Sequence, residues 1–520
     1  MSGKGFLSRI GLLLVTLSLL MSFGVTSFAT AQSAGPEMLD PDLDVRPAVT
    51  GLNLPTTLAF LSANEILVLE KNTGQVQYVL DGVVDHTALD LAVNNFSERG
   101  LLGIALDPNF ATNHFVYLYW SCIAPPPPAA EPFFPTQEEC ADTPELGADN
   151  GNVLAVPLLG NRVDRFVWDG ETLTFVLNLI KLRAFQNDAA PEPPGQGDET
   201  QPARGNHDGG VLSFGRDGKL YIFIGDVGRR GQLQNLPCGP VATCSGETSP
   251  DDQFGGPEPD DAHLTGVVLR LNTDGSAPSD NPFYSAGAQM GGEVGANIQK
   301  IFSYGHRNSF GLTVDPVSGG IWLQENGDDT FSELSRVRPG LNGGWIQIAG
   351  PVERINQYKQ IETTFGNPPA LQQLRWPPTN IADSPNEALA RLFMLPGAQY
   401  RNPEFSWKWE VAPGGMGFVI GRGLGSQFQN DLFMGAATPL LEGGYLFHFN
   451  LAGNRNKIAV DDPRLEDRVA DNLAKHEITE SESLLIGRNF GVVTDIETGP
   501  NGNLFVVSLS NGTIYEIFRR

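Results

Sequence analysis

Three polar clusters in turns carry the residue types that could do chemistry. The first is RGNHDGG (204–210), in which His207 stands between two polar residues and is followed by two glycines. A neutral imidazole at the edge of a cavity could take a proton from a substrate hydroxyl. The alternative is a loop histidine bonded to a neighbouring carboxylate, with no catalytic role. The motif keeps both interpretations open.

The second and third clusters offer a cation and a set of oxygen ligands. SYGHRNSFG (303–311) contains Arg307, whose planar guanidinium suits carboxylate or quinone oxygens, and Asn308, which can donate and accept hydrogen bonds. QENGDDTFSEL (324–334) gathers acidic and amide side chains around a glycine, and Ca²⁺ prefers such hard oxygen ligands. The structural alternatives are an arginine that bridges two sheets and a solvated acidic turn.

Short strands must position these clusters. Among 520 residues there are 60 Gly and 38 Pro beside 41% hydrophobic residues, a composition typical of many short strands and tight turns. Repetition of such units around an axis predicts an all-β, six-bladed β-propeller, with a multi-sheet sandwich as the alternative. The recurring unit, a turn with Asp, Asn or Gly followed by an apolar run, begins at Phe60, Asp107, Phe214, Asp315, Phe428 and Gly499.

Uneven spacing between these units predicts long loop insertions. Pro- and acid-rich stretches occupy 124–150, 187–204 and 245–262, and a short helix is expected near NEALARLFM (386–394). None of these stretches resembles a flexible linker between independent domains. We therefore expect residues 32–520 to form one domain.

The N-terminus has the pattern of an export signal. Lys4 and Arg9 precede an apolar stretch (10–25), and Ala-Thr-Ala (29–31) supplies small residues for cleavage. This predicts a signal peptide over residues 1–31, with an uncleaved membrane anchor as the alternative. No other stretch has the length of a membrane span, so we expect a secreted or periplasmic protein. The net charge of −26 argues against nucleic acid or an anionic membrane as partner.

The cysteines fit export as well. Four are present, which allow three disulfide pairings, and the sequence does not choose among them. We favour Cys122–Cys140 and Cys238–Cys244, since each pair closes a loop rich in Pro, Gly or acid. A zinc site is the alternative, but close Cys or Cys/His spacing is missing.

Several segments, in a fixed order, resemble the glucose/sorbosone dehydrogenase family, whereas Walker A, GxSxG and HExxH motifs are missing. The resemblance spans about Leu52 to Phe518 and implies an exported quinoprotein built as a six-bladed propeller. The segments that carry it are GLLGIALDPNFATNHFVYLYW (100–120), NHDGGVLSFGRDGKLYIFIGD (206–226), GHRNSFGLTVDP (305–316), ENGDDTFSEL (325–334), GLNGGW (340–345) and WEVAPGGM (409–416).

The resemblance also implies roles for individual residues. His207 matches the base that takes the hydroxyl proton, and Arg307 and Asn308 match an Arg-Asn pair beside pyrroloquinoline quinone (PQQ). Glu98 matches a substrate-side position where some members carry Gln. The turn Asn326, Gly327 and Asp328 matches the Ca²⁺ site, at which the ion would polarise the quinone.

The chain departs from the family in its cationic residues. PQQ carries three carboxylates, and the family's Arg-x-Arg-Asp run reads VVTD here (492–495), while Thr438 stands near the expected lysine. Arg488 is the nearest candidate to compensate, with Arg422, Arg204 and Lys408 as others.

We predict an exported oxidoreductase that uses PQQ and Ca²⁺ to oxidise a hydroxyl of a sugar or polyol, with an electron acceptor that the sequence does not identify. The alternative is a Ca²⁺-stabilised propeller that binds carbohydrate or protein without redox activity. A lactonase-type hydrolase is a third possibility.

Overall fold

The structure is a computed structural model that describes residues 35–122, 139–140, 156–157, 160–184, 206–227, 264–364 and 381–520. The predicted signal peptide and most residues of the three predicted insertions lie outside these ranges, so these predictions stay predictions. The same holds for the disulfides: Cys122 is buried, but the side chains of the other three cysteines are not among those described.

Strands dominate the described residues. The first strands in chain order are β1 (Glu37–Met38), β2 (Leu43–Thr50), β3 (Pro55–Phe60), β4 (Glu65–Glu70), β5 (Gln75–Leu80), β6 (Val83–Asp90), β7 (Leu101–Leu106), β8 (Phe115–Ser121), β9 (Glu139–Cys140), β10 (Val156–Pro157), β11 (Gly160–Trp168) and β12 (Leu173–Arg183). The next are β13 (Leu212–Phe214), β14 (Leu220–Ile224), β15 (Val267–Leu271), β16 (Ile301–Tyr304), β17 (Leu312–Val314), β18 (Ile321–Glu325), β19 (Thr330–Val337), β20 (Leu341–Asn342), β21 (Gln399–Tyr400) and β22 (Phe405–Trp409). The last are β23 (Pro413–Phe418), β24 (Leu432–Ala436), β25 (Tyr445–Phe449), β26 (Leu451–Ala452), β27 (Lys457–Ile458), β28 (Val469–Ala470), β29 (Leu485–Arg488), β30 (Val493–Thr498), β31 (Leu504–Ser508) and β32 (Thr513–Arg519).

Helices are short and lie in the connections. They are α1 (Phe110–Asn113), α2 (Tyr284–Met290), α3 (Gly292–Ile298), α4 (Ile355–Thr364) and α5 (Pro385–Ala390), with 3₁₀ turns at Val352–Arg354, Pro463–Leu465 and Ser481–Leu484. The short helix expected near 386–394 is confirmed by α5, whose N-cap Ser384 accepts a hydrogen bond from the Glu387 amide. No helix in the described ranges is long and apolar enough to cross a membrane.

The strands form six sheets of four to six strands, and two small hairpins, β9–β10 and β26–β27. We number the sheets 1 to 6 along the chain. Their strand orders are β3-β4-β5-β6, β7-β8-β11-β12, β13-β14-β15-β16-β20-β21, β17-β18-β19-β22-β28, β23-β24-β25-β29-β1 and β30-β31-β32-β2.

The first strand of each sheet lies at the centre of the molecule. Each of β3, β7, β13, β17, β23 and β30 contacts the next in that order, and β30 contacts β3, so the ring is closed. Second strands such as β14 (LYIFI) and β24 (LFMGA) are buried along their whole length, because neighbouring sheets cover both faces. The predicted all-β propeller is therefore confirmed, and each predicted turn-and-strand unit links the first and second strands of one sheet.

The two ends of the chain meet in sheet 6. Strand β2, near the N-terminus, pairs with β32 at the C-terminus from Leu43↔Arg519 to Thr50↔Thr513. This pairing covers the outer edge of a sheet whose other three strands come from the C-terminus. The closed ring is thus held by backbone hydrogen bonds between sequence-distant strands.

One end of the ring gathers the residues of interest. Because the sheets are antiparallel, the residues before a first strand and those after a second strand lie at the same end of their sheet. We call this end the mouth. Below it, a cavity of about 90 Å³ runs between the first strands and is lined by Thr57, Leu102, Ser213, Thr494, Asp495 and others.

Candidate active site

His207 and Asp226 form a dyad at the mouth of sheet 3. His207 Nδ1 lies 2.6 Å from Asp226 Oδ1, and both side chains are almost fully buried. A carboxylate can only accept, so Nδ1 carries the proton, and Nε2 is left as the basic nitrogen. Nε2 makes no hydrogen bond to any residue that the structure describes. The alternative of a loop histidine bonded to a carboxylate is thus half right, since that bond leaves the basic nitrogen available.

Tight backbone packing fixes this dyad. His207 adopts a positive φ of 62°, a conformation that costs a non-glycine residue about 1 kcal/mol or more. Gly225 lies directly behind it, where a Cβ would come within 2.4 Å of the His207 carbonyl and 2.5 Å of the Arg307 carbonyl. Asp226 Oδ2 accepts from Trp345 Nε1 at 2.9 Å, so both carboxylate oxygens are held.

Glu98 connects the three sheets that meet at this side of the mouth. Its Oε2 accepts from the His207 amide at 2.6 Å and from Asn308 Nδ2 at 3.2 Å. Glu98 precedes β7, His207 precedes β13 and Asn308 precedes β17, so one carboxylate oxygen ties sheets 2, 3 and 4 together. The structure therefore brings together Glu98, His207 and Asn308, three of the residues singled out in the sequence.

Arg307 joins the same site but faces the turn between β18 and β19. Its Nη1 donates to the carbonyl oxygens of Asn326 at 2.9 Å and Gly327 at 2.8 Å. Its Nη2 lies 3.1 Å from Asp328 Oδ1, and the guanidinium sits 5.5 Å from the centre of the Trp345 ring. Arg307 is thus a buried cation whose Nη1 and Nη2 both contact this turn.

Two further charged side chains complete the turn. Lys475 Nζ donates to the carbonyl of Asp328 and to Asp329 Oδ1, both at 2.9 Å. Glu362, from α4, accepts from the amides of Asp329 at 3.1 Å and Thr330 at 3.2 Å. The carbonyls of three successive residues therefore point at nitrogen cations, and the following amides point at a carboxylate.

This geometry corrects the Ca²⁺ prediction for Asn326, Gly327 and Asp328. Ca²⁺ takes six to eight oxygen ligands at about 2.3–2.6 Å. Here the carbonyl oxygens of the turn already accept from Arg307 and Lys475, and Asp328 is paired with Arg307. Within the described ranges no group of three or more His, Cys, Asp or Glu side chains could hold a metal ion. The residues of the turn do not fit Ca²⁺.

Arg488 lies at the mouth end of sheet 5 but far from the central ring, because its register partner Tyr445 pairs with Ala436 at the end of β24, and it does not join the residues around His207. It stands on β29, an outer strand of sheet 5, where it pairs with Glu37 of β1. Its side chain is 55% exposed. The VVTD stretch (492–495) belongs to β30, and Thr494 and Asp495 line the central cavity. Burial raises the pKa of Asp495 to about 6, so this stretch adds acid rather than a cation.

Two cations near Glu98 were not singled out from the sequence. Lys71 follows β4, and Arg99 is fully buried beside Glu98. Burial lowers the pKa of Lys71 to about 8, while the charges of Glu98 and Asp208 oppose that shift. Burial also raises the pKa of the fully buried Asp208 to about 7. The positive charge at the mouth therefore comes from sheets 1, 2 and 4 and from Lys475, rather than from the expected arginine run.

Comparison with known proteins places this site in a family. The sequence profile described as glucose / sorbosone dehydrogenase matches residues 52–130 and 197–384, just over half of the chain. The chain belongs to the glucose/sorbosone dehydrogenase family. Glu98, His207, Asp226, Arg307, Asn308 and the turn 326–329 all lie within these matched ranges, so the family likeness and the geometry concern the same part of the molecule.

The relatives that match this chain do so at low sequence identity. It is 28% identical to the uncharacterised protein slr1608 of Synechocystis over 59% of its length, and 28% identical to quinoprotein glucose dehydrogenase B of Acinetobacter calcoaceticus over 67%. The chain spans about 60% of the length of each. A PQQ-bound aldose sugar dehydrogenase from Streptomyces coelicolor shares the fold, with 21% identity, a TM-score of 0.50, and coverage of 92% of this chain and 98% of that one.

The mouth has the donor and acceptor types that a carboxylate-bearing quinone needs. Asn308 Oδ1 is buried and accepts no hydrogen bond from the residues described, so it suits an N–H or O–H of a bound molecule. Arg99, Arg307 and Lys71 supply positive charge to the same region. On these observations the residues of this family member fit a quinone cofactor, although they do not fit Ca²⁺ at 326–328.

Proposed function

We propose that this protein is a PQQ-dependent oxidoreductase that oxidises a hydroxyl of a sugar or polyol. The observation that carries the proposal is the dyad at the mouth, in which Asp226 fixes His207 with Nε2 as its basic nitrogen. The names of relatives support it, since one is a quinoprotein glucose dehydrogenase and another is an aldose sugar dehydrogenase with PQQ bound.

His207 acts as the general base in this proposal. Its Nε2 accepts the proton of the substrate hydroxyl, and Asp226 stabilises the imidazolium that results. Glu98 lies on the substrate side, where its carboxylate can accept from a second hydroxyl. When bound, the quinone supplies the two-electron oxidising chemistry.

The cofactor would be held by residues on the same side of the mouth. Asn308 offers an unused buried acceptor, and Arg99, Arg307 and Lys71 offset the negative charge of its carboxylates. Asp208 reduces the electrostatic cost of such an acidic ligand when it is protonated. The electron acceptor is left unassigned.

The architecture and location belong to the same proposal. We infer that the six sheets are six propeller blades and that residues 32–520 form one domain. Residues 1–31 direct export and are then removed, which places the enzyme in the periplasm or outside the cell. Sequencing the N-terminus of the exported protein tests this, and Gln32 is expected as its first residue.

Reconstitution tests the activity. The exported protein is titrated with PQQ, binding is followed by quenching of tryptophan fluorescence, and dye reduction is measured with a panel of aldoses and polyols. Wild type should bind PQQ and reduce the dye, whereas His207→Asn should bind PQQ and lose about 10²–10⁴-fold in rate. Carbohydrate binding without PQQ binding or dye reduction would contradict the proposal and favour the non-redox propeller.

A further inference from the structure

The turn Asn326–Asp329 and the two cations bound to it form a compact unit, which we call the cation-filled turn. Arg307 reaches it from sheet 4, and Lys475 reaches it from the segment between β28 and β29 of sheets 4 and 5. Its carbonyls at 326, 327 and 328 accept at 2.9, 2.8 and 2.9 Å. Its carboxylates at 328 and 329 lie 3.1 and 2.9 Å from the same two cations.

The segment that delivers Lys475 is itself firmly built. Asn472 is fully buried, and its side chain accepts from the Trp409 amide at 2.8 Å and donates to the Glu477 carbonyl at 2.7 Å. The His476 amide donates to the Glu410 carbonyl at 2.8 Å, and His476 has a positive φ of 62°. The end of β22 and the residue after it therefore hold Lys475 over the turn.

Charge within the unit explains why two cations are needed. Asp328, Asp329 and Glu410 face the turn, and Glu362 lies beneath it. Burial raises the pKa of Glu410 to about 7, and the charge of Lys475 opposes that shift. A turn that presents carbonyl oxygens beside several carboxyl groups attracts positive charge, which either a divalent metal or basic side chains can supply.

A metal and these side chains cannot occupy the turn together. Ca²⁺ would have to lie within about 2.6 Å of oxygens that now accept from N–H groups at 2.8–2.9 Å. The ion would then lie in contact with two positive charges, whose repulsion in a buried site is large. The turn is also closely packed, since a Cβ on Gly327 would lie 1.9 Å from the Thr330 carbonyl.

We propose that Arg307 and Lys475 replace a divalent metal in the cation-filled turn, so that this protein builds its mouth and binds its cofactor without Ca²⁺. Lys475 is a positioning residue, because it neutralises Asp329 and keeps the Asp328 carbonyl in place beside Arg307. The part of this inference that concerns the cofactor rests on the proposed function. The part that concerns the metal does not.

Calcium titration of the full exported chain after chelation tests the metal. Wild type should show no heat of Ca²⁺ binding in the micromolar range and no change of melting temperature between EGTA and 1 mM Ca²⁺. Lys475→Ala uncovers Asp329 and the Asp328 carbonyl, and it should gain Ca²⁺ binding and a Ca²⁺-dependent rise in melting temperature of roughly 2 °C or more. Lys475→Arg should stay insensitive to Ca²⁺.

Lys359→Ala is the matched control. Lys359 of α4 also pairs with an aspartate, Asp383 at 2.5 Å, but Asp383 is 80% exposed and the pair makes no hydrogen bond to the turn among the described residues. Its removal should not create Ca²⁺ sensitivity. A wild-type protein that binds one Ca²⁺ tightly, or a Lys475→Ala variant no more sensitive to Ca²⁺ than Lys359→Ala, overturns the proposal. If Lys475→Ala does not fold, the wild-type titration alone decides.

PQQ titration in EGTA and in Ca²⁺ separates this inference from the proposed function. Equal PQQ affinity under both conditions supports both. Binding that needs Ca²⁺ overturns the metal-free mouth but leaves the proposed function intact. If PQQ binds under neither condition, the proposed function fails, and the calcium titration still decides how the turn is filled.

Discussion

Two histidine–carboxylate pairs stand in neighbouring sheets and differ in what contacts the histidine Nε2 and the second carboxylate oxygen. In each pair the histidine Nδ1 is bonded to a carboxylate 19 residues further along the chain: His207 to Asp226 at 2.6 Å, and His306 to Glu325 at 2.7 Å. His306 Nε2 is bonded to Ser303 Oγ at 2.9 Å, and the ring is completely buried. His207 Nε2 has no such partner among the described residues.

The second carboxylate oxygen of each pair shows the difference in role. The second oxygen of Asp226 accepts a hydrogen bond from the Trp345 indole, so His207 Nε2 still faces the mouth. The second oxygen of Glu325 accepts a hydrogen bond from the Arg307 amide at 2.8 Å. The His306–Glu325 pair therefore fixes the backbone of Arg307, whose side chain lies in the site. The same device serves chemistry in sheet 3 and support in sheet 4, and the environment of Nε2 decides which.

Exchange of each histidine for asparagine gives the largest expected contrast. His207→Asn removes the general base and should lower the rate of dye reduction by about 10²–10⁴-fold, at a smaller cost in the free energy of unfolding than His306→Asn because only Asp226 loses a partner. His306→Asn leaves Glu325 and Ser303 without their buried partner and should cost about 2–4 kcal/mol of stability. Steady-state kinetics and urea unfolding of both variants check the contrast. Equal loss of rate in both, with equal stability, would remove the distinction.

The carboxylates give the next contrast. Asp226→Asn can no longer stabilise an imidazolium and can favour the wrong tautomer of His207, so the rate should fall by about 10²-fold or more while PQQ affinity changes little. Glu325→Gln keeps the shape of the buried pair but weakens its hold on the Arg307 amide. We expect Glu325→Gln to lower PQQ affinity more than the rate of turnover at saturation, which fluorescence titration and kinetics measure separately.

These contrasts also mark how far the sequence could predict the molecule. Several of the predicted turn-and-strand units begin with a local contact, in which Asp107, Asp217, Asp315 or Asn501 accepts from the amide two residues further on. Such contacts are local and leave a pattern in the sequence. His207 and Arg307 were found for the same reason, since each lies in a short polar motif directly before a strand.

The remainder depends on contacts between distant residues. Lys475 meets Asp328 from 147 positions away, and Trp345 meets Asp226 from 119, so no local pattern connects them. Arg488 lies on β29, which two strands separate from β23, and a short apolar strand gives no local sign of its place in the sheet. Asp226 has a weak signal in the sequence. It is an acidic residue just after the apolar strand β14, as Glu325 is the acidic residue at the end of β18 in the next sheet.

Each pair also has a buried acid beside it, which predicts a pH dependence of stability. Burial raises the pKa of Asp208 to about 7, and burial together with the charge of Glu325 raises the pKa of Glu333 well above its usual range. A group that holds its proton more tightly when folded makes the protein less stable as pH rises from its unfolded pKa to its folded one. For Asp208 this interval runs from about 4 to about 7, at up to about 1.4 kcal/mol per pH unit.

Urea unfolding between pH 4 and pH 9 checks the sign and the interval. Asp208→Asn should reduce the loss of stability between about pH 4 and 7 and leave the range above 7 unchanged. Glu333→Gln should also reduce the loss above pH 7, because the pKa of Glu333 is shifted further. Variants Asp208→Asn and Glu333→Gln whose stability depends on pH as the wild type's does would contradict the burial of these acids.

The smallest expected effect concerns the residue that supports the first pair from behind. Trp345→Phe keeps most of the apolar ring but removes the Nε1 donor to Asp226 and weakens the contact with the Arg307 guanidinium. One hydrogen bond to a charged group is worth about 1.5–3 kcal/mol, and part of it is recovered if water reaches Asp226. We expect a several-fold fall in rate and a shift of the pH–rate profile, since the Asp226 carboxylate that contacts His207 Nδ1 would lose its second donor. A fall in stability with an unchanged profile would instead assign Trp345 to packing alone, and the two histidine pairs would then differ only in the contact of Nε2.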